Sequence, residues 1–208
     1  MRVELEVFVL GPLLTNCYVV WEGEEAVVVD PGGKEVEEVA NFLEGRGLKL
    51  KYVVATHGHF DHVMGVKRLK SLIPGAKFLL REEDLPLVEK GEQTARFFNM
   101  EGYERPEVDG FLGEEVGSLK VIHTPGHTMG SVCLLSGRYL FTGDTLFKGT
   151  VGRVDLGGDA KKLMESLELL KLLPDDLVVL PGHGPPTTLG EEKRENPFMN
   201  GELGLEEL

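Results

Sequence analysis

Short apolar runs and amphipathic stretches alternate along the chain and predict alternating strands and helices. Runs rich in β-branched residues predict buried strands at about 2–10, 17–21, 26–30, 51–55, 77–80, 119–123, 131–135, 138–142 and 177–180. Apolar residues at helical spacing predict helices over about 34–46, 63–72, 84–98 and 159–172. The two strand-rich halves therefore predict an α+β fold in which two sheets pack together with helices outside, a four-layer αβ/βα sandwich. With no linker or internal repeat, residues 1–208 are expected to form one domain.

The predicted strand at 51–55 runs directly into a cluster of nitrogen and oxygen donors at His57, His59, Asp61 and His62. Alternate side chains of extended backbone share a face, so His57 and His59 can reach one ion while Gly58 keeps the backbone slim. Asp61 and His62 are consecutive, so they cannot both join that set and are expected to serve a second ion. A solvated, tag-like loop is the alternative, but four donors directly after a strand favour a metal site.

Three more apolar runs end in a possible ligand beside a glycine, at His127, Asp144 and His183. Glycine permits tight turns and close backbone approach, so we expect these side chains to converge with the first cluster. Taken alone, His127 or His183 would be an ordinary loop histidine; the repeated context favours a ligand. Seven donors suffice for two ions, and Asp144 is expected to bridge them at roughly 3.5 to 4 Å. The sixth histidine, His123, lies within a predicted strand and is expected to be an ordinary strand residue.

The composition limits the partners that the chain can have. The net charge is −13, and a nucleic-acid partner is not expected because such a partner requires a basic surface. No signal segment and no apolar run of the roughly 20 residues that span a bilayer is present, so a cytoplasmic protein without membrane contact is expected. Cys17 and Cys133 lie in apolar runs and are expected to be buried thiols without a disulfide.

These residues give the chain a family resemblance. It resembles the metallo-β-lactamase superfamily, and within it the glyoxalase II-like (hydroxyacylglutathione hydrolase-like) proteins. The matching motifs are THGHFDHVMG at 56–65, TPGHTMGS at 124–131, FTGDTLF at 141–147, PGHGPPT at 181–187 and EEKRENPF at 191–198. The resemblance implies the four-layer metallo-β-lactamase sandwich. It also implies one metal held by His57, His59 and His127, a second held by Asp61, His62 and His183, and Asp144 shared by both.

Two adjacent cations imply hydrolysis. Zn²⁺ lowers the pKa of a bound water from 15.7 to roughly 7, so a metal-bridging hydroxide is expected to attack an acyl carbonyl. Asp61 is expected to orient that hydroxide, and Asp144 to fix the gap between the ions. A thiolate leaves easily and binds soft metals, which favours a small-molecule thioester such as S-D-lactoylglutathione. Zn²⁺ is the expected metal, with Fe²⁺ and Mn²⁺ as alternatives. Four threonines are candidates to hydrogen-bond the ligand imidazoles or to be ordinary turn residues: Thr56, Thr124, Thr128 and Thr145.

On the substrate side the chain departs from the glyoxalase II pattern. Full-length members have a C-terminal helical domain that contributes basic residues to glutathione. This chain ends soon after Phe198, so that half of the site is expected to be absent. Lys148 and Arg153 are the candidate substrate-binding residues. Arg153 stands where a lysine is usual. Two roles are open to it, namely binding a substrate carboxylate and forming an ion pair with Asp155 or Asp159.

An oxidoreductase of the same fold is the alternative function. The persulfide dioxygenase-like proteins use a single iron, here implied at His57, His127 and Asp144, and share the Gly-Arg-x-Asp run at 152–155. The intact Asp61, His62 and His183 set favours the binuclear hydrolase. A non-enzymatic scaffold would be expected to lose ligands, and none of the seven is lost. The sequence leaves the oligomeric state open.

Overall fold

A computed structural model describes residues 2–208, apart from the side chain of residue 205, and contains two sheets of six strands each. The first sheet has the order β1-β2-β3-β4-β5-β6, with strands Glu4–Leu10, Thr15–Glu22, Glu25–Val29, Lys49–Val54, Lys77–Leu80 and Gly110–Phe111. The second has the order β14-β13-β10-β9-β8-β7, with strands Thr187–Thr188, Val178–Pro181, Tyr139–Gly143, Val132–Ser136, Leu119–His123 and Glu115–Val116. A separate two-stranded ribbon pairs β11, Leu146–Phe147, with β12, Thr150–Val151.

The helices lie between these strands in the sequence. They are α1 Glu37–Gly45, α2 Phe60–Val63, α3 Val66–Leu72, α4 Leu85–Glu89, α5 Gly91–Phe97, α6 Ala160–Lys171, α7 Leu189–Glu195 and α8 Pro197–Asn200, with short 3-10 helices at Glu82–Asp84 and Leu205–Glu207. The longest, α6, begins where the carboxylate of Asp159 accepts a hydrogen bond from the backbone N–H of Lys162 at 3.0 Å, a typical N-cap. Of the helices in residues 2–208, none is both long and apolar enough to cross a membrane.

Strand β2 shows how the layers arise, because its successive side chains point to opposite faces. Val19 and Trp21 join the apolar core that the first sheet shares with helices such as α1. Tyr18 and Val20 point the other way, into a core shared with the second sheet, where the ring of Tyr18 packs edge-on against that of Phe141 at 5.1 Å. Both faces of β2 are therefore buried, which explains its nearly continuous apolar sequence.

The second sheet repeats the pattern with helix α6. Its outer face packs against that helix through buried residues that include Cys133, Leu140, Val179, Leu163, Leu167 and Leu170. Three apolar cores thus separate helix, sheet, sheet and helix layers, and the predicted four-layer αβ/βα sandwich is confirmed. Cys17 and Cys133 are both buried and unpaired, as predicted.

The long strands and α6 match the sequence predictions to within a few residues, whereas several shorter elements differ. The predicted helix over 63–72 is two helices, α2 and α3, and the one over 84–98 is a 3-10 turn followed by α4 and α5. Strands β6, β7, β11, β12 and β14 were not predicted. Each has two residues, too few to carry a periodic signal.

Candidate metal centre

All seven predicted donors meet at one edge of the two packed sheets. Strands β3 and β4 run parallel, as do β10 and β13, so each pair ends at the same edge of its sheet. The donors lie on the segments that follow four strands, namely His57, His59, Asp61 and His62 after β4, His127 after β8, Asp144 after β10 and His183 after β13. Side chains far apart in sequence are therefore brought within a few ångströms of one another.

The first donor group consists of His57, His59 and His127. Nε2 of His127 lies 3.2 Å from Nε2 of His57 and 3.0 Å from Nδ1 of His59. Two nitrogens that bind the same tetrahedral zinc at about 2.0 to 2.1 Å are roughly 3.3 Å apart, which is close to these spacings. All three side chains are buried. The group has the size and donor type of a site for one ion.

The second group consists of Asp61, His62 and His183. Nε2 of His183 lies 3.2 Å from Nε2 of His62 and 3.2 Å from Oδ2 of Asp61. Asp61 and His62 are consecutive, and helix α2 turns both of them to the same side, where Nε2 of His62 lies 3.7 Å from Oδ2 of Asp61. The structure therefore places the pair together, and the ring centroid of His62 also lies 4.0 Å from that of His57, so the two donor groups adjoin.

Asp144 lies between the two groups. Its Oδ1 is 3.3 Å from Nε2 of His62, and its Oδ2 is 3.6 Å from Nε2 of His183 and 3.7 Å from Nε2 of His127. Within residues 2–208, Oδ1 is buried and has no hydrogen-bond partner. A buried carboxylate oxygen without a partner is a rare and costly feature that a bound cation would satisfy.

Two glycines permit this placement of Asp144. Gly143 has a φ of +48°, a left-handed conformation that glycine adopts without strain and that turns the chain sharply at the end of β10. At Gly182 the requirement is space, because a Cβ there would collide with Oδ1 of Asp144 and approach Cε1 of His62 to 2.7 Å. The glycines that the sequence placed beside the donors therefore serve different purposes, a turn in one case and close approach in the other.

Every imidazole of the cluster has a hydrogen-bond partner on the side away from the centre. The pairs are His57 Nδ1 with Thr56 Oγ1 at 3.1 Å, His59 Nε2 with Leu156 O at 3.5 Å, His62 Nδ1 with Asp30 Oδ2 at 3.0 Å, His127 Nδ1 with Arg153 O at 2.6 Å and His183 Nδ1 with Leu13 O at 3.0 Å. A carbonyl or carboxylate oxygen only accepts, so the outer nitrogen carries the proton. The inner nitrogen then has a free lone pair, which is the state that a metal requires.

Asp30 is a site residue that the sequence interpretation missed. It is buried at the end of β3 and accepts hydrogen bonds from the backbone N–H of Thr56 and from its hydroxyl, both at 2.7 Å. Because the Thr56 hydroxyl donates to Asp30, its oxygen is free to accept from His57, while Asp30 also accepts from His62. One carboxylate thus orients an imidazole in each group. A signal existed, since Val-Val-Val-Asp30-Pro-Gly has the same strand, donor and glycine order as the ligand segments.

Asp84 is the second missed residue, and it ties the first two donor loops together. Its carboxylate accepts from the backbone N–H of Gly58 at 2.8 Å, the hydroxyl of Thr128 at 2.7 Å and the backbone N–H of Gly130 at 2.7 Å. Gly58 lies between two donor histidines, and Thr128 follows His127. Burial raises the pKa of Asp84, and the three hydrogen bonds oppose that shift.

The other predicted residues occupy different surroundings. Of the four threonines proposed as imidazole partners, only Thr56 has that role within the described chain. Thr124 and Thr145 hydrogen-bond to each other at 3.2 Å, and Thr128 bonds to Asp84. His123 is exposed at the end of β8, where its Nε2 lies 2.9 Å from the carbonyl of Met129, as expected for a histidine outside the cluster.

The electrostatics of the two groups differ in a way that suits cations. Burial and the neighbouring imidazoles lower the pKa of His57 and lower that of His59 to about 4, so both are neutral at neutral pH. Burial alone would lower the pKa of His62, but the carboxylates of Asp144, Asp30 and Asp61 raise it. The second group therefore carries concentrated negative charge, which attracts a proton when no stronger cation is bound. The seven donors fit divalent metal ions.

Comparison with known proteins agrees with this fold and donor set. The family model described as the metallo-beta-lactamase superfamily matches residues 10–183. The chain belongs to the metallo-β-lactamase superfamily. Among curated relatives, the hydroxyacylglutathione hydrolase GloC of Haemophilus influenzae is 37% identical, with 94% of this chain and 98% of that protein covered.

Two solved structures are similar to this chain over nearly their whole length. The BLEG-1 B3 metallo-beta-lactamase superposes with a TM-score of 0.86 at 33% identity and covers 95% of this chain and 100% of its own. TTHA1623, whose structure was determined in a di-iron-bound form, superposes with a TM-score of 0.87 at 40% identity. The match covers 93% of this chain and 99% of TTHA1623. The metallo-β-lactamase fold is thus shared with a protein named as a B3 metallo-beta-lactamase and with one determined in a di-iron-bound form.

A cavity of about 390 Å³ opens onto the metal centre, and its volume is within the range of small-molecule sites. Arg153 lines it, but its guanidinium donates two hydrogen bonds of 2.5 Å to the carboxylate of Asp155. Of the two ion pairs that the sequence left open for Arg153, the structure contains the one with Asp155. Lys148 pairs with Glu191 at 3.2 Å and is not among the described residues that line the cavity.

Proposed function

We propose that this protein is a metal-dependent hydrolase that uses two divalent ions to cleave an acyl thioester such as S-D-lactoylglutathione. The observation that carries the proposal is the pair of donor groups with Asp144 reaching into both. The likeness to a relative named hydroxyacylglutathione hydrolase supports the thioester class. Zn²⁺ is the metal that we expect, and the di-iron form of a similar protein keeps Fe²⁺ as the alternative.

In this proposal His57, His59 and His127 would hold the first ion, Asp61, His62 and His183 would hold the second, and Asp144 would be shared by both. Two bound divalent cations supply Lewis acidity and activate water for attack on an acyl carbonyl. The outer hydrogen bonds of the five imidazoles fix the tautomers, so no side chain has to reorganise when substrate arrives.

Asp61 and Asp144 have separate tasks. Burial alone would raise the pKa of Asp61, but His62 and the hydrogen bond from His183 lower it, so Asp61 is a carboxylate at neutral pH. Its side chain lines the cavity and is 14% exposed, so it is placed to accept a hydrogen bond from the attacking water and orient it. Asp144 spaces the two donor groups. The chain therefore needs no side-chain nucleophile.

The test combines metal content with turnover on the full chain. Elemental mass spectrometry is expected to find about two ions per chain, and loss of thioester absorbance is expected to report hydrolysis of S-D-lactoylglutathione. His183→Ala is expected to lose an ion and most of the activity. The matched control is His123→Gln, because His123 is the one histidine outside the cluster in the described chain.

One outcome would replace this proposal with the mononuclear alternative. A single iron per chain, no thioester hydrolysis, and oxygen consumption with glutathione persulfide would assign the protein to the dioxygenase-like oxidoreductases, with iron at His57, His127 and Asp144. Two ions without thioester hydrolysis would retain the binuclear centre and refute the substrate class.

A further inference from the structure

Two unlike sets of side chains line the cavity above the metal centre, and we call each set a wall. One consists of donors of the centre, namely His59, Asp61, His127, Asp144 and His183. The other consists of Leu13, Phe60, Thr94, Phe98, Arg153 and Leu156. A substrate whose reacting carbonyl lies at the donors would therefore place one of its substituents against the second wall.

The second wall is largely apolar and comes from four separate segments of the chain. Phe60 begins α2 and is 4% exposed, and its ring lies 5.8 Å from the ring of Phe98 at the end of α5. Leu13 reaches in from the loop between β1 and β2 and is 38% exposed. Thr94 offers the only hydroxyl among these lining residues, and it donates to the carbonyl of Lys90 at 3.4 Å. Apolar side chains that remain accessible inside a cavity favour an apolar ligand group.

Charge on this wall is already compensated. Arg153 is the one lysine or arginine among the described lining residues, and Asp155 engages its guanidinium with two hydrogen bonds. A free carboxylate on the substituent would have to compete with Asp155, and a free hydroxyl on this wall would find only Thr94, whose own hydrogen is already donated to the carbonyl of Lys90. Both penalties disfavour polar groups at this position.

We propose that this wall binds the acyl chain of the substrate, so that the enzyme prefers thioesters of unsubstituted aliphatic acids to those of 2-hydroxy acids. The inference rests on the proposed thioesterase function and specifies its substrate class. Burial of each methylene contributes about 0.8 kcal/mol, so kcat/KM should rise about fourfold for each added carbon until the wall is covered.

The experiment keeps the thiol carrier constant and varies the acyl group. Propionyl, butyryl and hexanoyl thioesters of glutathione are compared with S-D-lactoylglutathione on the metal-loaded protein. Propionyl and D-lactoyl groups differ only by one hydroxyl, so their ratio isolates its cost. We expect propionyl to exceed lactoyl in kcat/KM severalfold, and hexanoyl to exceed propionyl by roughly tenfold or more.

Two phenylalanines provide the matched variants. Phe98 lines the cavity, whereas Phe111 is 47% exposed and is not one of its lining residues. Phe98→Ala is expected to reduce the hexanoyl-to-propionyl ratio about tenfold with unchanged metal content, and Phe111→Ala to leave the ratio unchanged. Leu13→Ala, on a different segment, should reduce the ratio as well and serves as the test if Phe98→Ala does not fold.

The possible failures are distinguishable. Equal rates along the series, or a preference for the lactoyl thioester, would overturn the acyl-chain inference and leave the thioesterase proposal intact. A ratio that falls equally in Phe111→Ala and Phe98→Ala would also overturn it, because the effect would not come from the cavity wall. Failure to hydrolyse any of the thioesters would overturn the proposed function together with the inference.

Discussion

Replacement of Asp84 by asparagine tests whether the site depends on a residue that contacts neither substrate nor metal ligand directly. The carboxylate is 1% exposed and accepts three hydrogen bonds, from Gly58, Thr128 and Gly130. Asn has nearly the same size, so Asp84→Asn creates no cavity. It replaces one acceptor oxygen by an NH₂ group, which donates and therefore faces donors that it cannot satisfy.

The size of the effect follows from that mismatch. At least one of the three buried donors loses its partner, which costs about 1 to 3 kcal/mol. A loss of about 2 kcal/mol would lower the melting temperature of a chain of this size by roughly 4 to 8 °C. Because Gly58 lies between His57 and His59, the first donor group should also loosen, and disturbed partners outside the ligand set typically reduce metal affinity about 10- to 100-fold.

Two measurements separate these effects. Thermal unfolding of metal-stripped protein reports the stability change without the contribution of bound metal, and metal titration reports the affinity of each equivalent. We expect one equivalent to weaken and the other to remain close to its original affinity. Glu82→Gln, at an exposed position of the same 3-10 turn, is the matched control. Unchanged melting temperature and unchanged metal affinities in Asp84→Asn would refute this account of how the two loops are held.

Two further changes test the remaining assignments. Asp144→Ala removes the carboxylate that lies between the donor groups, so metal content and hydrolysis should fall together; a variant that keeps two ions and full activity would contradict the bridging assignment. Asp155→Asn frees the guanidinium of Arg153, and because an exposed ion pair is weak, KM for a glutathione thioester should fall by only up to about fivefold at constant kcat. An unchanged KM would leave Arg153 with a structural role only.

The sequence predicted the elements with a strong periodic signal and failed where the signal is short. Strands such as β2 and β4 and helix α6 are long enough for alternation or helical spacing to be visible. The path of the chain over the sheet determines the break between α2 and α3. It also determines how the helical segment before Phe98 is divided. The layer order was predicted from two strand-rich halves, each with helices, and sheets with two buried faces need cover on both faces.

The sequence by itself determined which residue types stand at the strand ends. His57, His59, Asp61 and His62 lie within six positions. The local backbone, extended up to His59 and helical from Phe60, therefore separates the first two donors from the last two. Their distribution over two groups was implied by family resemblance, and the structure brings the same residues together.

Only the tertiary structure decided what surrounds those donors. The partner of His183 is the carbonyl of Leu13, 170 positions away, and that of His127 is the carbonyl of Arg153, 26 positions away. Asp84 joins loops that lie on different sheets, and the apolar wall of the cavity combines residues such as Leu13, Phe98 and Leu156. Such contacts depend on how the two sheets pack and on the register of their strands, which are properties of the whole chain that a local pattern does not contain.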